Sequence, residues 1–211
     1  IESKEKTVDY RGGNIVNILV IHSHNANRGD EAAVKAMVDD LLIKYPGATI
    51  TISNNGFTPY PGMPENVIQI DRFPKLESRI AQLEFFIVLL FKGKFAFTKE
   101  ARKFIRALKE ADVVLHAPGG PSIGDTYFEA EKLYLWRLNL IRRMGIPYIF
   151  YAPSMGPFNC ASRIKLRKEV VSGAERIILR DPISVKYVKD FLPGVEVEQA
   201  LDSALQHDID I

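Results

Sequence analysis

Side chains suited to proton transfer and to anion binding follow short apolar runs of this chain. His22 ends the run that starts at Asn17, and polar residues continue from there to Glu31. Arg180 directly follows the apolar run 177–179. An imidazole can accept or donate a proton, and a guanidinium binds a carboxylate or phosphate through two parallel hydrogen bonds. These residues indicate a site for an anionic or polyhydroxyl ligand, and the alternative for Arg180 is an ion pair with a nearby carboxylate.

A pair of glycines, Gly119 and Gly120, comes shortly after the apolar run 113–115. An aromatic-rich segment begins at Tyr127. This order predicts a buried strand that breaks into a tight turn with exposed backbone N–H groups. Glycine lets a ligand approach the backbone closely, and ligands of open parallel sheets sit at the carboxyl ends of the strands. A plain strand-to-helix turn would show the same pattern.

Strand-like and helix-like segments alternate along the chain, and they must position these residues. Near-continuous apolar strands separated by helices are typical of a parallel sheet covered on both faces. We therefore expect an α/β fold of Rossmann-like type, in which the carboxyl ends of the strands share one edge. The predicted strands are 17–22, 48–53, 67–70, 112–116, 148–152, 176–179 and 195–198, and the predicted helices are 30–44, 76–91, 98–109, 127–144, 162–172 and 182–191.

Two helix starts lie next to candidate ligand residues. Asp30 is suited to cap the first helix, and Asp181 followed by Pro182 fits an N-cap with proline at the first helical position. The positive N-termini of such helices would point at the strand-end edge and favour a negatively charged ligand. Other interpretations stay open: His22 also fits a hydrogen-bonded histidine at a strand end, and His24 fits an exposed loop residue.

The composition excludes several classes of protein. The 211 residues are 46% apolar and 26% charged with a net charge of +2, which is typical of a globular domain. Basic residues form no stripe with interleaved aromatics, so we expect no nucleic-acid partner. The single Cys160 excludes an internal disulfide and a cysteine-based metal cluster, and it fits a reducing compartment. We expect no signal peptide, and the sequence contains no G-x-G-x-x-G, P-loop or H-E-x-x-H motif.

We expect three parts along the chain and one unusual helix. Residues 1–14 are predicted to be a flexible N-terminal segment, 15–205 one domain, and 206–211 the start of a connection to a further domain. The segment 83–91 is strongly apolar, is followed by two lysines, and is too short to span a bilayer. It fits a membrane-surface helix or a subunit contact, while a buried core or interface helix is the commoner explanation.

Five polar elements occur in an order and spacing that resembles the polysaccharide pyruvyl transferase family. None is specific alone, whereas five in order are. The resemblance covers roughly residues 15–205, and it departs from the family where His24 and Asn25 stand in place of a frequent glycine. The elements are N-x-G-D-E-A from Asn27, Ala111-Asp112 with Gly119-Gly120, S-M-G-P from Ser154, R-D-x-x-S from Arg180, and L-D-S-A-L from Leu201.

The resemblance implies transfer of a pyruvyl (carboxyethylidene) group from phosphoenolpyruvate to sugar hydroxyls of a cell-surface or exopolysaccharide glycan, forming a ketal. It implies no cofactor beyond this donor substrate. Members resemble glycosyltransferase-B enzymes with two Rossmann-like halves, of which this chain would be the first. Alone, this half is expected to be catalytically silent, because a cleft needs both walls. A lipid-linked acceptor would place the protein in the cytoplasm, at the inner face of the membrane.

Pyruvyl transfer needs an acid for the enol carbon, a base for the sugar hydroxyl, and cations for carboxylate and phosphate. Under the resemblance, the catalytic candidates are His22, Asp30 and Asp125, and no residue is expected to bind a metal. The candidates for substrate binding are His24, Asn27, Gly29, Gly119, Gly120, Ser122, Ser154 and Arg180.

Two other functions share this predicted fold. A nucleotide-sugar glycosyltransferase of the same architecture would need a diphosphate-binding loop in a second domain. A non-catalytic sugar- or anion-binding module would bind glycan without releasing phosphate from phosphoenolpyruvate. Fold analogy does not distinguish these functions, because one fold hosts many chemistries.

Overall fold

A computed structural model describes residues 16–55, 58–74 and 79–206 of the chain. The predicted segments 1–14 and 206–211 therefore lie outside it, apart from Gln206. The described strands are β1 Asn17–Ser23, β2 Thr49–Asn54, β3 Val67–Asp71, β4 Val113–His116, β5 Gly119–Ile123, β6 Tyr148–Tyr151, β7 Pro153–Met155, β8 Arg176–Leu179 and β9 Glu198–Gln199. The described α-helices are α1 Arg28–Lys44, α2 Arg79–Leu90, α3 Lys99–Glu110, α4 Phe128–Met144, α5 Ile164–Ser172 and α6 Pro182–Phe191. Short 3-10 helices cover Ala161–Arg163 and Ser203–Gln206.

Seven strands form one parallel sheet in the order β3-β2-β1-β4-β6-β8-β9. The chain moves outward from β1 to β2 and β3, then returns to place β4 on the other side of β1. The carboxyl ends of β1 and β4 therefore flank the point where the strand order reverses, which is where open α/β sheets bind ligands. The predicted Rossmann-like α/β fold is confirmed.

Alternate residues of β1 enter different cores, because successive side chains of a strand point to opposite faces. Ile18 and Val20 pack with the buried residues of α1, including Met37. Leu19 and Ile21 pack with buried residues of α3 and α4 on the opposite face. Since helices cover both faces of β1, this strand is apolar along most of its length rather than alternating.

The two predicted helix caps have different outcomes. Asp181 accepts a hydrogen bond from the Ser184 backbone N–H at 2.7 Å and precedes proline at the first position of α6, as predicted. The prediction for Asp30 is wrong, because α1 begins two residues earlier and Asn27 is its cap. The Asn27 side chain accepts from Gly29 N–H at 2.7 Å. Asp30 is left in the first turn with its carboxylate uncommitted to capping.

The predicted tight turn after β4 is wrong. Gly119, at φ +136°, instead starts β5, which pairs in parallel with β7 in a separate two-stranded sheet. The chain beyond β4 and the chain beyond β6 both stay extended past the edge of the main sheet, and their backbone groups pair with each other. The last strand is also shifted: 195–198 was expected, and Glu198–Gln199 is observed.

Candidate functional site

A cavity of about 500 Å³ lies at the carboxyl edge of β1 and β4. The end of β1, the first turn of α1, the β4–β5 segment and the start of α4 form its walls. Nine of the predicted site residues meet there, and Asp125 and Ser154 do not line it. The lining residues are His22, His24, Ala26, Asn27, Gly29, Asp30, His116, Ala117, Pro118, Gly119, Gly120, Ser122, Tyr127, Ala130, Tyr134, Arg180, Asp202 and Ala204.

His22 occupies the most constrained position of the site. Its backbone is left-handed at φ +61°, which is uncommon for a residue with a side chain and is concentrated at functional sites. The ring is 2% exposed and packs against His116 and Tyr134 at centroid distances of 4.6 and 4.4 Å. Among the described residues, neither ring nitrogen has a hydrogen-bond partner. The interpretation of His22 as a satisfied strand-end histidine is therefore wrong.

The pKa of His22 lies well below its usual value of 6.5, first because the ring is buried and then because His116 and the Arg137 guanidinium oppose a positive charge. Arg137 is itself fully buried in α4, and among the described residues its hydrogen bonds go to the Phe73 carbonyl and the Asn55 side-chain oxygen. Burial lowers the pKa of Arg137 to about 9. His22 is therefore a neutral imidazole near pH 7.

His24 is half-buried rather than exposed in the loop, so that expectation is wrong. Its Nε2 lies 2.6 Å from the Tyr134 hydroxyl. Burial lowers the pKa of His24, although the nearby Asp30 carboxylate partly opposes the shift. Burial also raises the pKa of Tyr134, so the phenol keeps its proton. The pair is a neutral hydrogen-bonded unit on the cavity wall.

His116 is a site residue that sequence reasoning missed. It ends β4 beside Ile21 of β1, and its Nδ1 lies 2.9 Å from the Ala117 carbonyl oxygen. Since a carbonyl only accepts, Nδ1 carries the proton, and the Ser122 hydroxyl donates to Nε2 at 2.7 Å. The sequence carries a signal for His116, because this polar residue ends an apolar strand just as His22 stands near the end of β1.

Burial lowers the pKa of His116 to about 4 from its usual 6.5. Between pH 6.5 and pH 4 the imidazole of residue 116 binds a proton in the unfolded chain but not in the folded one. The contribution of His116 to the free energy of unfolding is therefore complete above pH 6.5 and is lost as the pH falls toward 4. From pH 7 to pH 5 we expect His116 to reduce the free energy of unfolding by about 2 kcal/mol. Urea unfolding at both pH values measures this loss. The His116→Gln variant should show a smaller pH dependence, and an unchanged dependence would contradict the prediction.

Asp30 lies against Gly119 across the cavity wall. A Cβ added at Gly119 would stand 2.9 Å from the Asp30 Oδ1 atom, and the φ of +136° also disfavours a side chain. Glycine at this position therefore makes room for the carboxylate. Asp30 thus borders the cavity at the positive end of α1, where a negative group is favoured.

Arg180 is not an unpartnered cation, which corrects the expectation that it awaits a ligand. Its Nη1 lies 2.5 Å from the Asp202 carboxylate, and its Nε donates to the Ser154 hydroxyl at 2.9 Å. Asp181, as expected, is not its partner; it accepts from Ser154 at 2.9 Å. The Arg180 and Asp202 side chains are about a quarter exposed. They line both the cavity and a neighbouring open cleft of about 600 Å³, which Ser154 also lines.

Asp125 is committed elsewhere. Its Oδ1 pairs with Arg167 at 2.7 Å, and its Oδ2 accepts from the backbone N–H groups of Asn159 and Cys160. Burial alone would raise the pKa of Asp125, but these donors hold it below its usual value. The structure thus gives Asp125 a loop-tying role and does not bring it to the cavity as a base.

Within the described ranges, no three His, Cys, Asp or Glu side chains are arranged to hold a metal ion. No described helix is both long enough and apolar enough to cross a bilayer.

The model of the polysaccharide pyruvyl transferase family matches residues 27–210. Comparison with curated proteins gives no significant match. The family match spans Asn27, Asp30, the β4–β5 segment, Arg180 and Asp202, and it leaves His22 and His24 just outside.

Proposed function

The chain belongs to the polysaccharide pyruvyl transferase family, and from this premise we propose that the cavity binds phosphoenolpyruvate beside a sugar. The pyruvyl group would then pass to two sugar hydroxyls as a ketal of a cell-surface or exopolysaccharide glycan. The lining of the cavity carries this proposal. Among the described residues that form it, Arg180 holds the one permanent positive charge. Phosphoenolpyruvate presents a carboxylate and a phosphate, and either matches the guanidinium fork.

Neutral proton-transfer groups surround that cation. Burial lowers the pKa of His22 and His24, so near pH 7 neither imidazole competes with Arg180 for the anion. Both ring nitrogens of His22 remain free of protein partners among the described residues. A neutral imidazole can accept a proton from a hydroxyl, and Asp30 borders the same space as a carboxylate. These three residues are the proposed acid–base groups.

The proposed reaction joins C2 of phosphoenolpyruvate to two sugar oxygens and releases phosphate. A first sugar oxygen bonds to C2 of phosphoenolpyruvate, and the methylene carbon takes up a proton and becomes a methyl group. The C2–O bond to phosphate then breaks, and phosphate leaves with the bonding electrons. A second sugar oxygen bonds to C2 and closes the ketal. Of the two hydroxyl protons released, one is matched by the methyl carbon and the other by the departing phosphate.

Phosphate release tests the proposed function. Because this half alone is expected to be silent, the assay uses the full-length protein. Incubated with phosphoenolpyruvate and a panel of glycosides, it should release inorganic phosphate only when a suitable glycoside is present. Mass spectrometry should show an acid-labile pyruvyl ketal on that glycoside. Consumption of a nucleotide sugar without use of phosphoenolpyruvate would instead identify a glycosyltransferase. Glycan binding without phosphate release would identify a non-catalytic binding module.

A further inference from the structure

The outer face of α2 and the turn after it expose an unusual number of large apolar side chains. We define this apolar patch as Ile80, Leu83, Phe86, Leu90, Phe91, Phe95 and Phe97. Their exposed fractions range from 44% to 77%. Exposed apolar patches of such size mark protein or membrane contacts. A helix buried on all sides, one of the explanations for 83–91, therefore does not hold for this face, whereas Phe85 and Val88 on the opposite face are buried.

The patch has a defined shape. Ile80, Leu83, Phe86 and Leu90 recur at helical spacing, which places them on one side of α2. Phe91 and Phe95 extend it through an edge-to-face contact with ring centroids 5.0 Å apart. The side chains thus form a ridge along the helix and the turn rather than scattered surface residues.

The one carboxylate within residues 79–99 is turned away from solvent. Glu84 is buried and accepts hydrogen bonds from the backbone N–H groups of Phe97 and Thr98 at 2.6 and 2.7 Å. It also accepts from the Thr98 hydroxyl at 2.8 Å. This arrangement ties the turn to the helix and removes the negative charge from the exposed face.

Basic side chains flank the ridge. Arg79, Lys92, Lys94 and Lys99 are all exposed, and residues 79–99 contain no acidic residue other than Glu84. A surface with apolar side chains in its centre and cations at its rim fits the interface of an anionic bilayer, because lipid tails take the apolar groups and headgroups attract the cations.

We propose that this ridge docks the protein on the surface of a bilayer that contains anionic lipids. The helix lies in the headgroup region with Leu83, Phe86 and Leu90 inserted, and it does not cross. A symmetric contact between two copies fits less well, since it would bring the four basic side chains of each ridge together without an exposed carboxylate from residues 79–99 to pair with them.

Vesicle flotation tests the proposal. We expect the protein to float with vesicles of phosphatidylcholine and phosphatidylglycerol, to bind phosphatidylcholine vesicles more weakly, and to lose binding as salt rises. The Leu83→Ser and Phe86→Ser variants should each lower the partition coefficient by roughly tenfold. The double variant Lys92→Glu, Lys94→Glu should weaken binding to the anionic vesicles specifically.

Matched controls come from other exposed positions. Ile43 on α1 is 79% exposed, and Ile43→Ser should leave flotation unchanged, as should Lys165→Glu on α5. Sedimentation velocity separates the alternative occupant. A dimer that Phe86→Ser dissociates, with no flotation of the unaltered protein, would overturn the proposal in favour of a contact between copies. A monomer that binds no vesicle would overturn it outright.

Discussion

Replacing Arg180 by lysine in the full-length protein should lower kcat/KM for phosphoenolpyruvate by about tenfold or more. Lysine keeps the charge but loses the planar fork that reaches Ser154, Asp202 and a substrate anion together. One or two lost charge-assisted hydrogen bonds, at about 1.5–3 kcal/mol each, account for this size. Stability should change by less than about 1 kcal/mol, because the ion pair is partly exposed. Initial rates of phosphate release measure the effect.

Two variants decide whether the loss reflects anion binding. Arg176 makes a similar two-bond pair with Glu198 outside the cavity lining, so Arg176→Lys should retain near-normal kinetics. Asp202→Asn removes the Arg180 ion pair while leaving the guanidinium for the substrate. A loss of turnover in Asp202→Asn as large as that in Arg180→Lys would assign Arg180 to scaffolding, as would unchanged kinetics in Arg180→Lys.

Replacing Glu131 by alanine should lower the free energy of unfolding by roughly 3–5 kcal/mol. Glu131 is fully buried in α4 and binds the buried Arg167 through two hydrogen bonds of 2.8 and 2.9 Å. It also accepts from Gly124 N–H at 2.8 Å and pairs with Arg163 at 3.1 Å. Without the carboxylate, the partly exposed Asp125 is the one charged partner that Arg167 keeps within the described part of the chain. Urea unfolding at neutral pH measures the difference.

The control for Glu131 lies two residues away. Glu129 is exposed on the same helix, and Glu129→Ala should change stability by less than about 0.5 kcal/mol. Glu131→Gln keeps the shape of the side chain and should cost less than Glu131→Ala. Equal stability of Glu131→Ala and the unaltered protein would show that Arg167 finds other partners at no cost.

The site was predictable where a strand ends. His22, Arg180 and the glycine pair stand at the end of apolar runs or shortly after them, and a parallel sheet brings such positions to one edge. His116 follows the same rule, because it ends the apolar strand β4.

Other parts of the site depend on packing at long range. Tyr134 and Arg137 lie inside α4, and which residues of a helix face the sheet is set by how the helix rotates against it. Asp202 meets Arg180 across 22 positions of the chain. The pairing of β5 with β7 likewise joins two segments that lie outside the predicted strands. None of these contacts has a local signal.

The small sheet of β5 and β7 limits which positions near the site can be substituted. A Cβ at Gly124 would stand 2.7 Å from the Gly156 backbone, and a Cβ at Gly156 would stand 2.7 Å from Tyr187. Both positions also have positive φ, so they admit glycine alone. On the other side of the cavity, residues 25–28 are mostly exposed. A mutant library meant to alter ligand choice should therefore randomise residues 25–28 and leave Gly124 and Gly156 unchanged.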